Sequence, residues 1–265
     1  MKSFGLLGIL GILCIFASQR GQAQAEACGG DYVCLVDDSA AAPKRFDQTF
    51  VVATLAHPAG SERCLGTPID VTAASPDESR LACSAAYDAI QLLNRCGISM
   101  RRPLHVEIMT EVRHPFSGSI FGRLDTKRER ALITQEANIR SLIEGTPYAK
   151  LPRRDFYKSL IVHEVVHGIM HQNLKRPATS HSAYEYPAYA LQIESLAPQV
   201  RDTFMQSFER AAIESIFMFN DPILFMDPYY FAARAYHHFK ASSNGCAHLT
   251  ALLEGEVTFI APSRL

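Results

Sequence analysis

Residues 153 to 173 constrain this 265-residue chain more than any other stretch. From Asp155 to Val166 neither proline nor glycine interrupts the run, and Pro152 stands where the opening turn of a helix tolerates it. The pattern predicts one helix over the whole span. Within Ile161-Val162-His163-Glu164-Val165-Val166-His167-Gly168-Ile169 everything around the three polar side chains is uncharged and mostly aliphatic, which suits a helix buried beside a cleft. Positions i and i+4 of a helix project from the same side about one turn apart, so His163 and His167 are presented together with Glu164 beside them. Burying two imidazoles and a carboxylate among aliphatic side chains is costly unless something compensates them, and a divalent metal does so directly. The competing arrangement has two core histidines hydrogen-bonded to neighbours and Glu164 paired with an arginine.

A catalytic metal of this kind takes three protein ligands and keeps a fourth position for water, so the two histidines require a partner from elsewhere. Downstream the candidates are His171, His181, Glu185 and Glu194. His171 is again i+4 from His167, but three consecutive turns of one straight helix cannot wrap a tetrahedral ion, which places His171 on the surface or outside the ligand set. Glu185 falls early in Ser182-Ala183-Tyr184-Glu185-Tyr186-Pro187-Ala188-Tyr189-Ala190-Leu191-Gln192, where a helical period brings Glu185, Ala188, Tyr189 and Gln192 to one face. The small Ala188 permits close approach of two helices. Glu185 is therefore the preferred third ligand and Glu194 the fallback. The plainer alternative is that Glu185 is an exposed acid favoured by the dipole at a helix start.

His163, Glu164 and His167 form an H-E-x-x-H arrangement. Together with Glu185 they make residues 155 to 195 resemble the gluzincins, metallopeptidases whose third ligand is a glutamate on a helix after that motif. The resemblance implies a zincin-like catalytic subdomain, Zn2+ as cofactor, and hydrolysis of a peptide or protein substrate by metal-activated water with Glu164 as general base. Several gluzincins place an aspartate four residues beyond the glutamate ligand to orient a metal histidine. Tyr189 occupies that position here, which leaves the residue orienting His163 or His167 unidentified. For the developing oxyanion, Tyr229, Tyr236 and His237 are the candidate donors, since a helix over 228–243 carries them on one face. Aromatic core packing with surface histidines competes with that assignment. Two further classes stay open: a zincin-like protein that holds metal in a binding or structural role with little turnover, and a disulfide-stabilised helical domain without metal.

The N-terminus reads as Lys2, an apolar segment from Phe4 to Ala17, and small and polar residues ending in Ala23-Gln24-Ala25. That is the pattern of a secretory signal peptide over 1–25, cleaved near Ala25, and it implies a secreted or periplasmic protein. Beyond it no segment reaches the roughly 18 apolar residues needed to cross a bilayer. With Cys14 in the leader, Cys28, Cys34, Cys64, Cys83, Cys96 and Cys246 are an even set in an oxidising compartment and are read as three disulfides, Cys28 and Cys34 being near enough to close a local loop. A cysteine-ligated zinc site lacks any C-x-x-C pair. The chain holds 26 basic and 27 acidic residues with both signs interspersed, and Lys2 and Arg20 leave with the leader, which argues against nucleic acid or a membrane surface as partner.

No Gly/Ser-rich linker or repeat divides residues 26–265, so one domain is expected. Its predicted class is α+β, a small N-terminal mixed sheet with a helix followed by a mainly helical half. Thr49 to Leu55 and the alternating Leu104-His105-Val106-Glu107-Ile108 read as strands. Between them Ser75, Pro76 and Glu78 mark the capped start of a helix that Gly97 stops after Cys96. Ser119 to Leu124 and Ala131 to Thr134 read as two strands joined by the charged turn Asp125 to Arg130, a hairpin able to offer an open edge to an extended peptide. Further helices are predicted over 183–195, 198–217 and 228–243, with Asp221-Pro222 and Asp227-Pro228 each read as a cap followed by proline at the first helical position.

Overall fold

The computed structural model describes residues 61–114, 118–176, 180–208, 219–241, 245–257 and 259, together with the backbone at 25–28 and 32–35. The strands are β1 (Ala25–Cys28), β2 (Tyr32–Leu35), β3 (Ser61–Arg63), β4 (Ile69–Thr72), β5 (Leu104–Met109), β6 (Val112–His114), β7 (Gly118–Ile120), β8 (Gly122–Asp125) and β9 (Arg130–Thr134). Five of them form one mixed sheet in the order β3-β4-β5-β9-β8, with β4, β5 and β9 parallel and the two outer strands antiparallel to their neighbours. Among the described residues β1 pairs with β2 and β6 with β7, each as a separate two-stranded sheet. Parallel pairing of β4 with β5 requires a crossover, and α1 (Pro76–Asn94) supplies it. Its start is the predicted one. The Ser75 hydroxyl accepts the Glu78 backbone N–H at 3.2 Å and donates to the Glu78 carboxylate at 3.4 Å, with Pro76 in the first turn. Gly97, at φ +73°, turns the chain back through the left-handed region.

After α2 (Arg140–Ile143) comes α3 (Arg153–Asn173), which occupies the predicted span and packs on β5, β8 and β9, on α1 and on α4 (His181–Ser195). Covered from three directions, α3 is buried on every side from Ser159 to Met170 and therefore shows no strong apolar stripe. A small residue brings it down onto the sheet. A Cβ at Gly168 would fall 2.7 Å from the Leu104 side chain of β5; Ala188 of α4 is fully buried. The remaining helices are α5 (Pro198–Met205), α6 (Asp221–Met226), α7 (Pro228–Ala241) and α8 (Gly245–Glu254). The class is α+β, as the sequence predicts: a mixed sheet with a helix first, then a helical C-terminal half.

Several boundaries differ from the prediction. The stretch Ser119 to Leu124 is two strands broken at Phe121, because β7 pairs with β6 whereas β8 pairs with β9. α4 starts two residues earlier than expected, at His181, since Ser180 caps it through the Ala183 N–H. α5 closes at Met205 in a 3-10 turn, Gln206–Phe208, and the rest of the predicted 198–217 helix is outside the described residues. The cap of α6 is Asn220 rather than Asp221, whereas Asp227 caps α7 as expected by accepting the Tyr230 N–H at 2.9 Å. Disulfides join Cys64 to Cys83 and Cys96 to Cys246, a set that suits an oxidising compartment. The side chains of Cys28 and Cys34, most of the leader and the Thr49–Leu55 stretch fall outside the described residues. No described helix is long and apolar enough to cross a membrane.

Candidate metal centre

The first turn of α4 is held from two sides. Ser180 accepts from the Ala183 N–H at 3.1 Å, and Asp221 of α6 accepts from the Ser182 N–H at 2.7 Å. One turn on, Glu185 reaches across the close α3–α4 contact to both histidines of α3. Its carboxylate oxygens stand 3.3 Å from His163 Nε2 and 3.3 Å from His167 Nε2, and the two Nε2 atoms are 3.0 Å apart. One ligand atom from each of the three residues thus converges on a common point, all within 4.8 Å of one another. Tetrahedral bonds of 2.0–2.1 Å put neighbouring ligand atoms about 3.3 Å apart, so the spacing is that of a small divalent ion. The chemistry of the donor set agrees. A carboxylate offers only lone pairs, as does Nε2 of a neutral imidazole protonated at Nδ1, and convergent lone pairs repel unless a cation lies among them.

His163, Glu164 and His167 are 6, 4 and 4 % exposed, so no bulk water relieves their charge or polarity. Burial pushes the Glu164 carboxyl up to about 7, with His163 opposing and Glu185 adding to the rise. Burial would raise Glu185 as well, but the adjacent His167 and His163 outweigh it and hold that carboxyl well below the ordinary range. Glu164 also lies against the edge strand β8. A Cβ at Gly122 would sit 2.8 Å from Glu164 Oε1 and 2.9 Å from the Leu132 carbonyl of β9, so the strand passes the carboxylate at a distance only glycine allows. Glu164 Oε2 has no hydrogen-bond partner among the described residues.

Aromatic rings wall the two imidazoles. Tyr184 stacks on His167 with ring centroids 4.3 Å apart, and Tyr189 meets His163 edge-on at 4.7 Å. Tyr189, four residues beyond Glu185, packs against His163. The hydrogen bond comes instead from one turn further along: Gln192 Oε1 is 3.0 Å from His163 Nδ1. Sequence reasoning placed Gln192 on the ligand face of α4 but gave it no role; its polarity at a buried i+7 position from Glu185 was the available signal. Gly122 carried no local signal, since its contact with Glu164 is made only when the sheet docks on α3.

Other candidates have different neighbours. His171, half-buried on α3, is near Glu129 and Arg102. His181 opens α4 one turn before Glu185 and packs edge-on against Phe225. Glu194 is taken by Arg201 at 3.2 Å and Lys240 at 3.0 Å. Of the proposed oxyanion donors, Tyr229 packs edge-on against Tyr148, Tyr236 sits beneath the Arg201 guanidinium and His237 beside Tyr236. Arg201 anchors Tyr236 to the Glu194 end of α4, about 13 Å along the helix from Glu185.

Neither a curated protein nor a solved structure matches the chain. Residues 69–262 match DUF6639, a family of unknown function, and the chain belongs to that family.

Proposed function

We propose that the protein is a zinc-dependent peptidase of the zincin type, resembling the gluzincins, that acts outside the reducing cytoplasm on extended peptide or protein substrates. The observation that carries this reading is the convergence of His163 Nε2, His167 Nε2 and a Glu185 oxygen beside a buried, incompletely bonded Glu164 carboxylate. His163, His167 and Glu185 would hold the ion, which when bound supplies Lewis-acid activation of water and of the scissile carbonyl. Glu164 takes a proton from the attacking water and returns it to the amine nitrogen as the C–N bond breaks. Among the described residues β8 ends the sheet order, so its outer edge would offer backbone N–H and C=O groups for an extended chain to pair with. Because Gly122 of that strand abuts Glu164, a peptide laid along the edge brings its backbone carbonyl to the base without its side chains being read. Two disulfides and the leader-like N-terminus favour secretion or the periplasm.

The test combines metal content with hydrolysis of an unstructured protein such as casein. Wild type is expected to hold one zinc per chain and to cleave. Glu164→Gln should keep the zinc and lose at least about 10³-fold in rate, whereas His163→Ala and Glu185→Ala should lose both. Equal rates for wild type and Glu164→Gln would overturn the mechanism. Zinc retained by a wild type that hydrolyses nothing would leave a binding or structural role for the same centre.

A further inference from the structure

We propose that Ser159 and Gln192 form a directional hydrogen-bond relay that fixes His163 in the tautomer with its lone pair at Nε2, making both of them positioning residues for a metal-binding imidazole. The inference rests on the metal reading above and deepens it. The direction is set at the far end, inside α3 itself. Ser159 Oγ is 2.7 Å from the Phe156 carbonyl, and a carbonyl only accepts, so the single hydroxyl proton of Ser159 is spent there. Towards Gln192 the Ser159 oxygen is then an acceptor, and it faces Gln192 Nε2 at 3.5 Å. This orients the otherwise ambiguous amide, NH2 to Ser159 and carbonyl oxygen to His163. An amide oxygen accepts and never donates. Nδ1 of His163, 3.0 Å away, therefore carries the ring proton, and the neutral imidazole keeps its lone pair at Nε2, the atom that meets Glu185 and His167.

Ser159 and Gln192 are each 2 % exposed, so water does not compete for these groups. The partner of His163 is an uncharged amide. A carboxylate there would also raise the basicity of the imidazole, whereas an amide gives direction without charge. Glu185 and Gln192 stand two turns apart on α4 and lie against Nε2 and Nδ1 of the same side chain.

The experiment reads the imidazole 15N resonances of metal-free protein at pH 8, with His163 assigned by difference from His163→Asn, and zinc affinity by competition with a chelator. Expected for wild type is a His163 ring protonated at Nδ1 and bare at Nε2. Gln192→Leu, which fills the space without an acceptor, should mix the tautomers and weaken zinc binding about 10- to 100-fold. Gln192→Glu, which restores an acceptor, should return the affinity to the wild-type level or above it, a rescue that a packing role would not produce. A proton found on Nε2 of wild-type His163, or a Gln192→Leu protein that binds zinc as tightly as wild type, would overturn the relay. Since the tautomer is read without metal, a protein that binds no zinc overturns the metal reading while a bare Nε2 still supports the relay. Zinc binding without hydrolysis leaves the relay standing and removes only the peptidase.

Discussion

Gly122 illustrates how one residue without a side chain shapes the chemistry of another. Its α-hydrogen occupies the space where a methyl group would meet both the Glu164 carboxylate and the Leu132 carbonyl, at 2.8 and 2.9 Å. Gly122→Ala must therefore move either the edge strand or the Glu164 carboxylate. The expected outcome is a loss of about 1–3 kcal/mol of stability in urea unfolding and of about 10²-fold in the proposed hydrolysis, with the zinc content of the wild type retained, because the atoms nearest that methyl belong to Glu164 and Leu132. Unaltered turnover would show that Glu164 has freedom to spare. At this scale His163, Glu164 and His167 are legible in the sequence because their geometry depends only on the pitch of one helix. Glu185 is legible as a residue on the right face of the next helix. Gln192 shares that face, but its partner is chosen by how α4 rotates against α3. Gly122 is invisible until the sheet is in place.

Among the elements, the helices with strong local signals follow the sequence closely: the Ser75 cap and Gly97 stop bound α1, and α3 spans residues 153 to 173. Where neighbours decide, the sequence pattern fails. Phe121 separates two strands that look continuous because β7 and β8 answer to different partners, and α8 was not anticipated even though Leu249, Leu252 and Leu253 recur at helical spacing on its buried side. That helix is tied to the end of α1 by Cys96–Cys246 across 150 residues, whereas Cys64–Cys83 closes only 19. Chain-entropy reasoning assigns about 5 kcal/mol to the long closure and about 3 kcal/mol to the short one. Paired serine replacements of Cys96 and Cys246 should lower Tm by 10 °C or more, on the order of 2–4 °C per kcal/mol for a chain of this size. The Cys64 and Cys83 pair should cost less. The reverse order in a thermal melt would show that loop length does not govern these bonds.

For the molecule as a whole, stability is expected to depend on pH through a second histidine group, far along the chain from His163 and His167. His248 of α8 has His238 of α7 at 4.7 Å and Tyr186 of α4 at 5.0 Å, ring to ring, and Phe259 stacks at 5.7 Å. Burial, and then the neighbouring His238, lower its pKa from 6.5 to about 4. The native state keeps this ring neutral while the unfolded chain protonates below pH 6.5. Its contribution is therefore complete above that pH and is lost as the pH falls towards 4. With its partial exposure allowed for, the loss amounts to about 1–2 kcal/mol. In His248→Phe, which cannot take up the proton, the difference in urea stability between pH 7 and pH 4.5 should shrink by that amount. An identical acid loss in both proteins would place the sensitivity elsewhere.

The sequence by itself determined the α+β class, the helices whose caps and periods are local, and the three polar residues presented together by one helix, because 3.6-residue geometry needs no knowledge of the rest of the chain. Only the tertiary structure decided that Glu185 meets both imidazoles, that Gln192 rather than residue 189 supports His163, and that a glycine of the edge strand lies against Glu164. Those are contacts between elements, and their partners are selected by how buried surfaces fit rather than by any spacing along the chain.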